Sequence, residues 1–153
     1  MIPPNSPYAK EGTARASGAL PQQLSFFVER HRGVEAALVF TSDSLLRSFS
    51  SNLALEEAER VSAVAGQLFA LAGNFAELTE RGAAEQVIVR MGTGFLLVSQ
   101  ATPATGLALL TSRNAPLDQI AGEAVRLVES LRSALPQTLS TQIGAPLLAG
   151  AAV

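Results

Sequence analysis

The sequence predicts an α/β domain with a five-stranded antiparallel sheet, in the order helix, two strands, long helix, three strands, helix. Three observations predict this class. Residues 55–80 repeat apolar side chains at helical spacing. Short β-rich segments precede and follow that stretch, and sequential segments joined by turns pair as hairpins. An apolar sheet face must be covered, so we expect the helices to pack over it.

The composition of both chain ends predicts tails around one domain. Residues 1–19 hold three prolines and no apolar periodicity, which predicts a flexible leader. The domain is expected over residues 20–135. Residues 136–153 hold no charged side chain and are predicted to form a flexible tail. The alternative is that Leu147 and Leu148 dock on a partner or a neighbouring subunit.

A short first helix is predicted over residues 21–32. Leu24, Phe27 and Val28 fall at positions i, i+3 and i+4, and Gly33 suits the end of the helix. Two strands should follow as a hairpin, because β-rich segments flank a turn made of Ser and Asp. These strands are expected over residues 34–41 and 45–50, with the turn at residues 42–44.

The central helix is predicted over residues 55–80. Glu56 and Glu57 in its first turn and Arg81 at its end complement the helix dipole, and Gly82 suits a left-handed C′ position. Asn52 is the nearest good N-cap. Burial of its larger apolar side chains would contribute at most roughly 9–18 kcal/mol, so we expect packing to place the helix. The predicted buried stripe comprises Val61, Val64, Ala65, Leu68, Leu71, Ala72, Phe75 and Leu78.

A second face of this helix combines small residues with one aromatic residue: Ser62, Gly66, Phe69, Ala70 and Gly73. Each glycine in a helix interior costs about 1 kcal/mol relative to alanine, so both positions need a reason. Close approach of another helix is one explanation. The other is that the sheet beneath the helix needs room.

Three further strands and a last helix complete the pattern. The strands are expected over residues 85–91, 95–100 and 106–112, as an antiparallel meander that reverses at Gly92-Thr93-Gly94. Asp118 can cap the last helix, which Pro136 must end.

Composition excludes several function classes. The net charge is −2 with eleven scattered Lys and Arg, which disfavours nucleic-acid binding. There are no cysteines, so thiolate metal sites and cysteine nucleophiles are excluded. No secretory signal and no membrane span are visible. We therefore expect a cytoplasmic protein, which would be recruited to a membrane only through partners.

The sequence contains few side chains that could act in catalysis. His31 is the only histidine, and the only two aspartates, Asp43 and Asp118, have turn or cap roles. No triad, metal site or cofactor site is therefore predicted. The segment Gly92-Thr93-Gly94 lacks the lysine of a phosphate loop and is predicted to be a hairpin turn. The outward polar face of the central helix could be a partner site or merely solvated: Glu56, Glu59, Arg60, Gln67, Asn74 and Glu77.

Residues 20–135 resemble the roadblock family of dynein light chains and bacterial GTPase regulators, with the actinobacterial branch as the best match. The resemblance rests on Gly33 to Val39, on the Asp43 turn with Leu45-Leu46, on Glu57 to Arg60, and on Met91 to Leu96. Two positions depart from the family pattern. Ser44 replaces a frequent glycine, and Ala54 replaces a frequent acidic cap, which leaves the helix start to Asn52 or to packing.

The resemblance implies a roadblock/profilin-like fold and a homodimer in which the third strands and the central helices of two subunits meet. The expected interface comprises Ser62, Gly66, Phe69, Ala70, Gly73, Val87 and Val89. It also implies a non-catalytic scaffold that binds a small Ras-like GTPase and modulates its hydrolysis or localisation without supplying an arginine finger. The GTPase-facing residues would be Glu56, Glu59, Arg60, Gln67 and Asn74.

Two alternatives remain at this point. A small-ligand sensor, or an interaction module without a GTPase partner, would fit the same fold; a sensor should bring polar residues together inside the core, and no such set is visible. An enzyme would require Arg47, Arg90 or His31 to be buried together.

Overall fold

The computed structural model describes residues 19–135, and the expected tails lie outside this range apart from Ala19. The described chain contains three α-helices, one short 3-10 helix and five strands. The helices are α1 (Ala19–Arg30), α2 (Leu55–Thr79) and α3 (Leu117–Leu131), followed by the 3-10 helix Arg132–Ala134. The strands are β1 (Val34–Thr41), β2 (Leu46–Phe49), β3 (Gln86–Arg90), β4 (Gly94–Thr102) and β5 (Thr105–Ser112).

All five strands form one antiparallel sheet, in the spatial order β2-β1-β5-β4-β3. Hairpins join β1 to β2 and β3, β4 and β5 to one another, and β1 pairs with β5 to unite the two groups. The hairpin turn predicted at residues 92–94 is confirmed, with Met91 N donating to Gly94 O at 2.9 Å. The predicted α/β fold class and element order are therefore confirmed, and β2 and β3 form the two edges.

The sheet separates two apolar cores, because successive side chains of a strand point to opposite faces. In β1, Ala37 and Val39 belong to the core beneath α1 and α3, whereas Leu38 and Phe40 belong to the core beneath α2. Helices α1 and α3 therefore cover one face of the sheet, and the central helix α2 covers the other.

The ends of α2 differ from the sequence prediction. The N-cap is Ala54, without a side-chain cap hydrogen bond, while the Asn52 side chain donates to Glu35 O in β1. Neighbouring Leu53 and Leu55 are buried, so packing holds this end. At the other end Glu80 is the left-handed C-cap with φ 53°. Gly82 also takes a positive φ, 89°, as predicted, but lies two residues beyond the cap.

The other two helices also begin slightly away from the predicted positions. Helix α1 spans Ala19–Arg30, and Gly33 takes φ 94°, as suits a residue that ends a helix. Helix α3 begins at Leu117 after Pro116, so Asp118 lies in the first turn and is not the cap. A carboxylate in the first turn still complements the helix dipole.

The predicted buried stripe of α2 is wrong for its largest members. Val64, Leu71, Phe75 and Leu78 are 53%, 65%, 66% and 80% exposed. The helix rests on the sheet through a mainly small-residue face: Leu55, Ala58, Ser62, Ala65 and Gly66. Small side chains let the helix axis approach the sheet closely, and the larger apolar side chains then lie on a face turned away from it.

Among the described residues, α2 is the one helix whose length and apolar character would suit a membrane span. Five of its residues pack it against the sheet, and its first turn carries Glu56 and Glu57. Most of its apolar stretch is exposed, so α2 is a surface helix with one unusually apolar exposed face.

Candidate protein-interaction surface on the central helix

A continuous row of apolar side chains runs along the outside of α2. Its members follow each other at intervals of three and four residues: Val61, Val64, Leu68, Leu71, Phe75 and Leu78. We call this row the apolar seam. Val61 and Leu68 are partly buried against the α2 core, and the other four are exposed. Alternating steps of three and four are typical of a helix that packs against another helix.

A second row, which we call the polar stripe, lies on a different side of α2. It consists of the predicted GTPase-facing residues Glu56, Glu59, Arg60, Gln67 and Asn74. All are exposed except Glu59, which is half-buried. At 100° and 1.5 Å per residue, the stripe is about 27 Å long, and its centre lies roughly 90° around the helix from the centre of the seam. Arg60, Gln67 and Asn74 each lie four positions before a seam residue, so the two surfaces adjoin along one side.

Strand β3 adds an open edge beside the helix. Val87 and Val89 are half-buried against the α2 core, and Ile88 on the other side of the strand is 47% exposed. Within residues 19–135 the strand pairs only with β4, so its outer edge has no strand neighbour. An unpaired edge is a surface to which another strand can be added.

The other predicted interface residues lie on the side of α2 that faces its own domain. Ser62 is buried and donates to Ala58 O at 2.9 Å. Gly66 is buried, whereas Phe69 is half-buried and Ala70 and Gly73 are exposed. The first part of this face of α2 is therefore buried in the subunit core, and its later part is exposed.

The two glycines of this face have different surroundings. A Cβ on Gly66 would lie 2.8 Å from Ser44 Cα, so the close neighbour is the β1–β2 turn of the same chain. A Cβ on Gly73 would meet nothing within 4 Å. Glycine is therefore needed at position 66 because the β1–β2 turn of the same sheet lies so close, and not because another helix approaches there.

The turn that meets Gly66 has an unusual backbone. Ser44 takes φ 70°, a left-handed conformation that favours glycine. Thr41 secures the turn, since its hydroxyl donates to Asp43 and Ser44 N donates to Thr41 O at 2.8 Å. Ser44 departs from the family pattern but takes a backbone conformation that glycine favours. The turn packs against Gly66 of α2 through this residue.

The groups that an enzyme would need are far apart. Arg47 lies on β2 and Arg90 on β3, at opposite edges of the sheet. His31 follows α1, stacks on Phe27 with ring centroids 4.1 Å apart, and pairs with Glu123 at 3.4 Å. Its place is that of a contact between α1 and α3.

The described residues contain no group of three His, Asp or Glu side chains that could hold a metal ion. Buried hydroxyls bond to their neighbours instead of lining a cavity. Ser50 Oγ accepts from Ala37 N at 3.1 Å, and Thr102 and Thr105 share a hydrogen bond of 2.7 Å. No set of polar groups converges inside either core in this part of the chain.

Two shallow grooves accompany these surfaces. One, of about 450 Å³, lies at the end of α2 and is lined by Phe69, Gly73, Glu77 and the residues that lead into β3. The other, of about 390 Å³, lies between α1 and α3 on the opposite face of the sheet.

Fold and surface together define a class: a profilin-like α/β domain with an exposed apolar helix face and an unpaired sheet edge. The Roadblock/LC7 domain model matches residues 22–111. The match spans more than half of the chain, and the chain therefore belongs to the Roadblock/LC7 family.

Solved structures agree with this family. A Roadblock/LC7 domain from Streptomyces avermitilis is 28% identical, with a TM-score of 0.71, and the match covers 76% of this chain and 97% of that one. Myxococcus xanthus MglB is 9% identical with a TM-score of 0.65, over 74% and 91% of the two chains. Acanthamoeba castellanii profilin IA is 16% identical with a TM-score of 0.51, over 75% and 98%. The Streptomyces match is consistent with the actinobacterial branch.

Comparison with curated proteins gave no match.

Proposed function

We propose that the chain is a homodimeric regulatory scaffold that binds a small Ras-like GTPase and modulates its nucleotide hydrolysis or its localisation. The observation that supports this most is the apolar seam, which lies exposed on the central helix beside an unpaired sheet edge. Membership of the Roadblock/LC7 family supports it independently. The proposed protein works in the cytoplasm and reaches a membrane only through its partners.

The first proposed partner is a second copy of the chain. Pairing of two β3 edges would join two sheets, and the seams of two α2 helices would cover one another. Each fully buried Val, Leu or Phe side chain contributes about 1.5–3 kcal/mol, so four exposed seam residues are a substantial driving force. In this proposed interface, Val87 and Val89 remain contacts at the β3 edge. The helix contacts are Leu71 and Phe75 instead of the predicted Ser62 and Gly66, which are buried within their own subunit.

The second proposed partner is the GTPase, on the polar stripe. The stripe and the seam are centred about 90° apart on α2, so a dimer built on the seam would leave accessible the side of the stripe that faces away from the seam. The stripe holds two carboxylates and one guanidinium among neutral amides, a mixture suited to a polar partner surface. A dimer would present two such stripes.

The proposed effect on hydrolysis does not depend on an arginine from this chain. Arg60 is the one arginine of the stripe, and it lies on a rigid helix and not on a mobile loop. Loss of an arginine finger lowers hydrolysis by about 10³–10⁵-fold. At saturating concentrations, we therefore expect Arg60→Ala to leave any acceleration of hydrolysis nearly unchanged.

The test uses the full chain and the Ras-like GTPase encoded nearest to it in its genome. Calorimetry should show binding that differs between the GDP form and a form loaded with a non-hydrolysable GTP analogue. Arg60→Glu should weaken this binding, because it reverses the only positive charge of the stripe. Arg126→Glu is the matched control, since Arg126 is exposed on α3 across the sheet.

Single-turnover hydrolysis completes the experiment. Binding with faster hydrolysis identifies a GTPase-activating accessory protein, and binding alone identifies a scaffold. The absence of both binding and any change in hydrolysis would contradict the proposed function. Equal loss in Arg60→Glu and Arg126→Glu would contradict the placement of the site on the polar stripe.

A further inference from the structure

The groove between α1 and α3 exposes an aromatic side chain that the proposed dimer and GTPase surfaces do not use. Phe26 lines the groove and is 56% exposed, next to Phe27 on α1 and Leu127 on α3. The groove has a volume of about 390 Å³. It lies on the sheet face opposite α2, so it stays open in a dimer built on the apolar seam.

The charged groups in the lining of this groove already have partners within the domain. The Arg30 guanidinium lies 5.1 Å from the centre of the Phe26 ring, and His31 pairs with Glu123. Glu123 also accepts from Arg126 at 2.7 Å. What the groove offers an occupant is therefore apolar surface, flanked by the polar Gln23 and Ser130. An uncharged peptide fits such a site without burying an unpaired charge.

We infer that the segment of residues 136–153 from the same chain docks in this groove. The segment contains no charged residue, and it holds the apolar side chains Leu139, Ile143, Leu147 and Leu148. The leader is the other candidate from this chain, but it would bring Lys10, Glu11 and Arg15. The charge pattern therefore favours the C-terminal segment.

The point where this segment leaves the domain supports the same choice. Leu135 is 4% exposed and belongs to the same core cluster as Phe27 and Leu127. The groove residues Leu127 and Ser130 precede it by only two turns of helix. Eighteen residues reach up to roughly 60 Å when extended, so the segment spans the groove easily. Tethering beside the groove also raises its effective concentration there.

The chain has no cysteine, so one introduced cysteine carries a unique spin label. We place the label at Ala149→Cys, next to Leu147 and Leu148, and the leucine variants below separate docking from the effect of tethering alone. The label should strongly attenuate amide signals of α1 and α3 around the groove in the isotopically labelled full chain. Signals of the polar stripe on α2 should keep their intensity.

Two variants test the contact from each side. Leu147→Ser combined with Leu148→Ser, and separately Phe26→Gln, should remove the attenuation while the remaining spectrum stays unchanged. Neither variant alters a buried residue of the described domain. Val125→Gln is the matched control, because Val125 is an equally exposed apolar residue of α3 that does not line the groove. It should leave the attenuation intact.

Three outcomes would overturn the inference. The first is attenuation that survives the double leucine variant, since it would reflect tethering alone. The second is attenuation from a label at Ser6→Cys but not at Ala149→Cys, which would place the leader in the groove. The third is attenuation in a mixture where the spin label and the isotopes are on different molecules, which would make the contact intermolecular.

Discussion

Gly66 is the residue that fixes how the central helix meets its own domain. A Cβ there would lie 2.8 Å from Ser44 Cα, in a turn whose φ of 70° is already unusual for serine. Gly73, seven residues later on the same face, has open space around it. The two glycines therefore make opposite predictions for the same substitution.

We expect Gly66→Ala to lower the free energy of unfolding of the subunit by about 1–3 kcal/mol, because the added methyl overpacks the helix against the turn. Gly73→Ala should raise it by about 0.5–1 kcal/mol, because alanine is the better helix former and no atom is displaced. Urea unfolding of the full chain at fixed concentration measures both. Equal effects would show that Gly66 does not pack against the turn.

A second substitution at the turn serves as the control. Ser44→Gly removes two of the side-chain atoms that crowd Gly66 and suits the left-handed backbone. In the Gly66→Ala background it should recover part of the lost stability. No recovery would point to a cause other than this contact.

Sequence reasoning identified both glycines but not their neighbours. The need for room at Gly66 follows from a turn 22 positions earlier in the chain, and helical periodicity does not report such a distant contact. His31 was identified as the only histidine of the sequence. The contact with Glu123 was equally hidden, because it joins two helices that are far apart in the sequence.

At the scale of elements, local pattern predicted which segments are helices and strands. The β-rich run of β1, the alternation in β3 and the turns between hairpins depend on neighbouring residues, and these strands appear within one or two positions of expectation. The packed face of α2 was harder to predict. Its most apolar row faces outward, because the helix sits close to the sheet through Ala58, Ala65 and Gly66. Hydrophobicity alone points to the wrong face in such a case.

The spacing of this row does not by itself say which way it faces. Steps of three and four from Val61 to Leu78 suit a helix that packs on a sheet as well as a helix that packs on another helix.

We predict that Leu71→Lys combined with Phe75→Lys weakens self-association by at least about 100-fold, since two apolar side chains worth about 1.5–3 kcal/mol each would leave the interface. Both residues are exposed within the subunit, so its helical content should not change. Light scattering over a concentration series gives the result.

The control is Val125→Lys, which places a single lysine at an exposed apolar position across the sheet. It should leave association unaffected. A double seam variant that associates like the unaltered chain would remove the seam from the proposed interface.

At the scale of the whole molecule, the proposed surfaces lie on both faces of the sheet and at one edge. The seam and the polar stripe lie on α2 over one face of the sheet, β3 forms one edge of the sheet, and the α1–α3 groove lies on the other face. Docking of the C-terminal segment in the groove would therefore not compete with binding on α2. The fold could be predicted from sequence, but this division of surfaces could not, because it depends on how deeply each helix settles on the sheet.

The proposed homodimer joins two copies of the chain through the central helix and the open edge of β3. Sedimentation velocity of the unaltered full chain over a wide concentration range tests this association. We expect a species of twice the chain mass that dissociates on dilution. A single species of the chain mass at every concentration would contradict it.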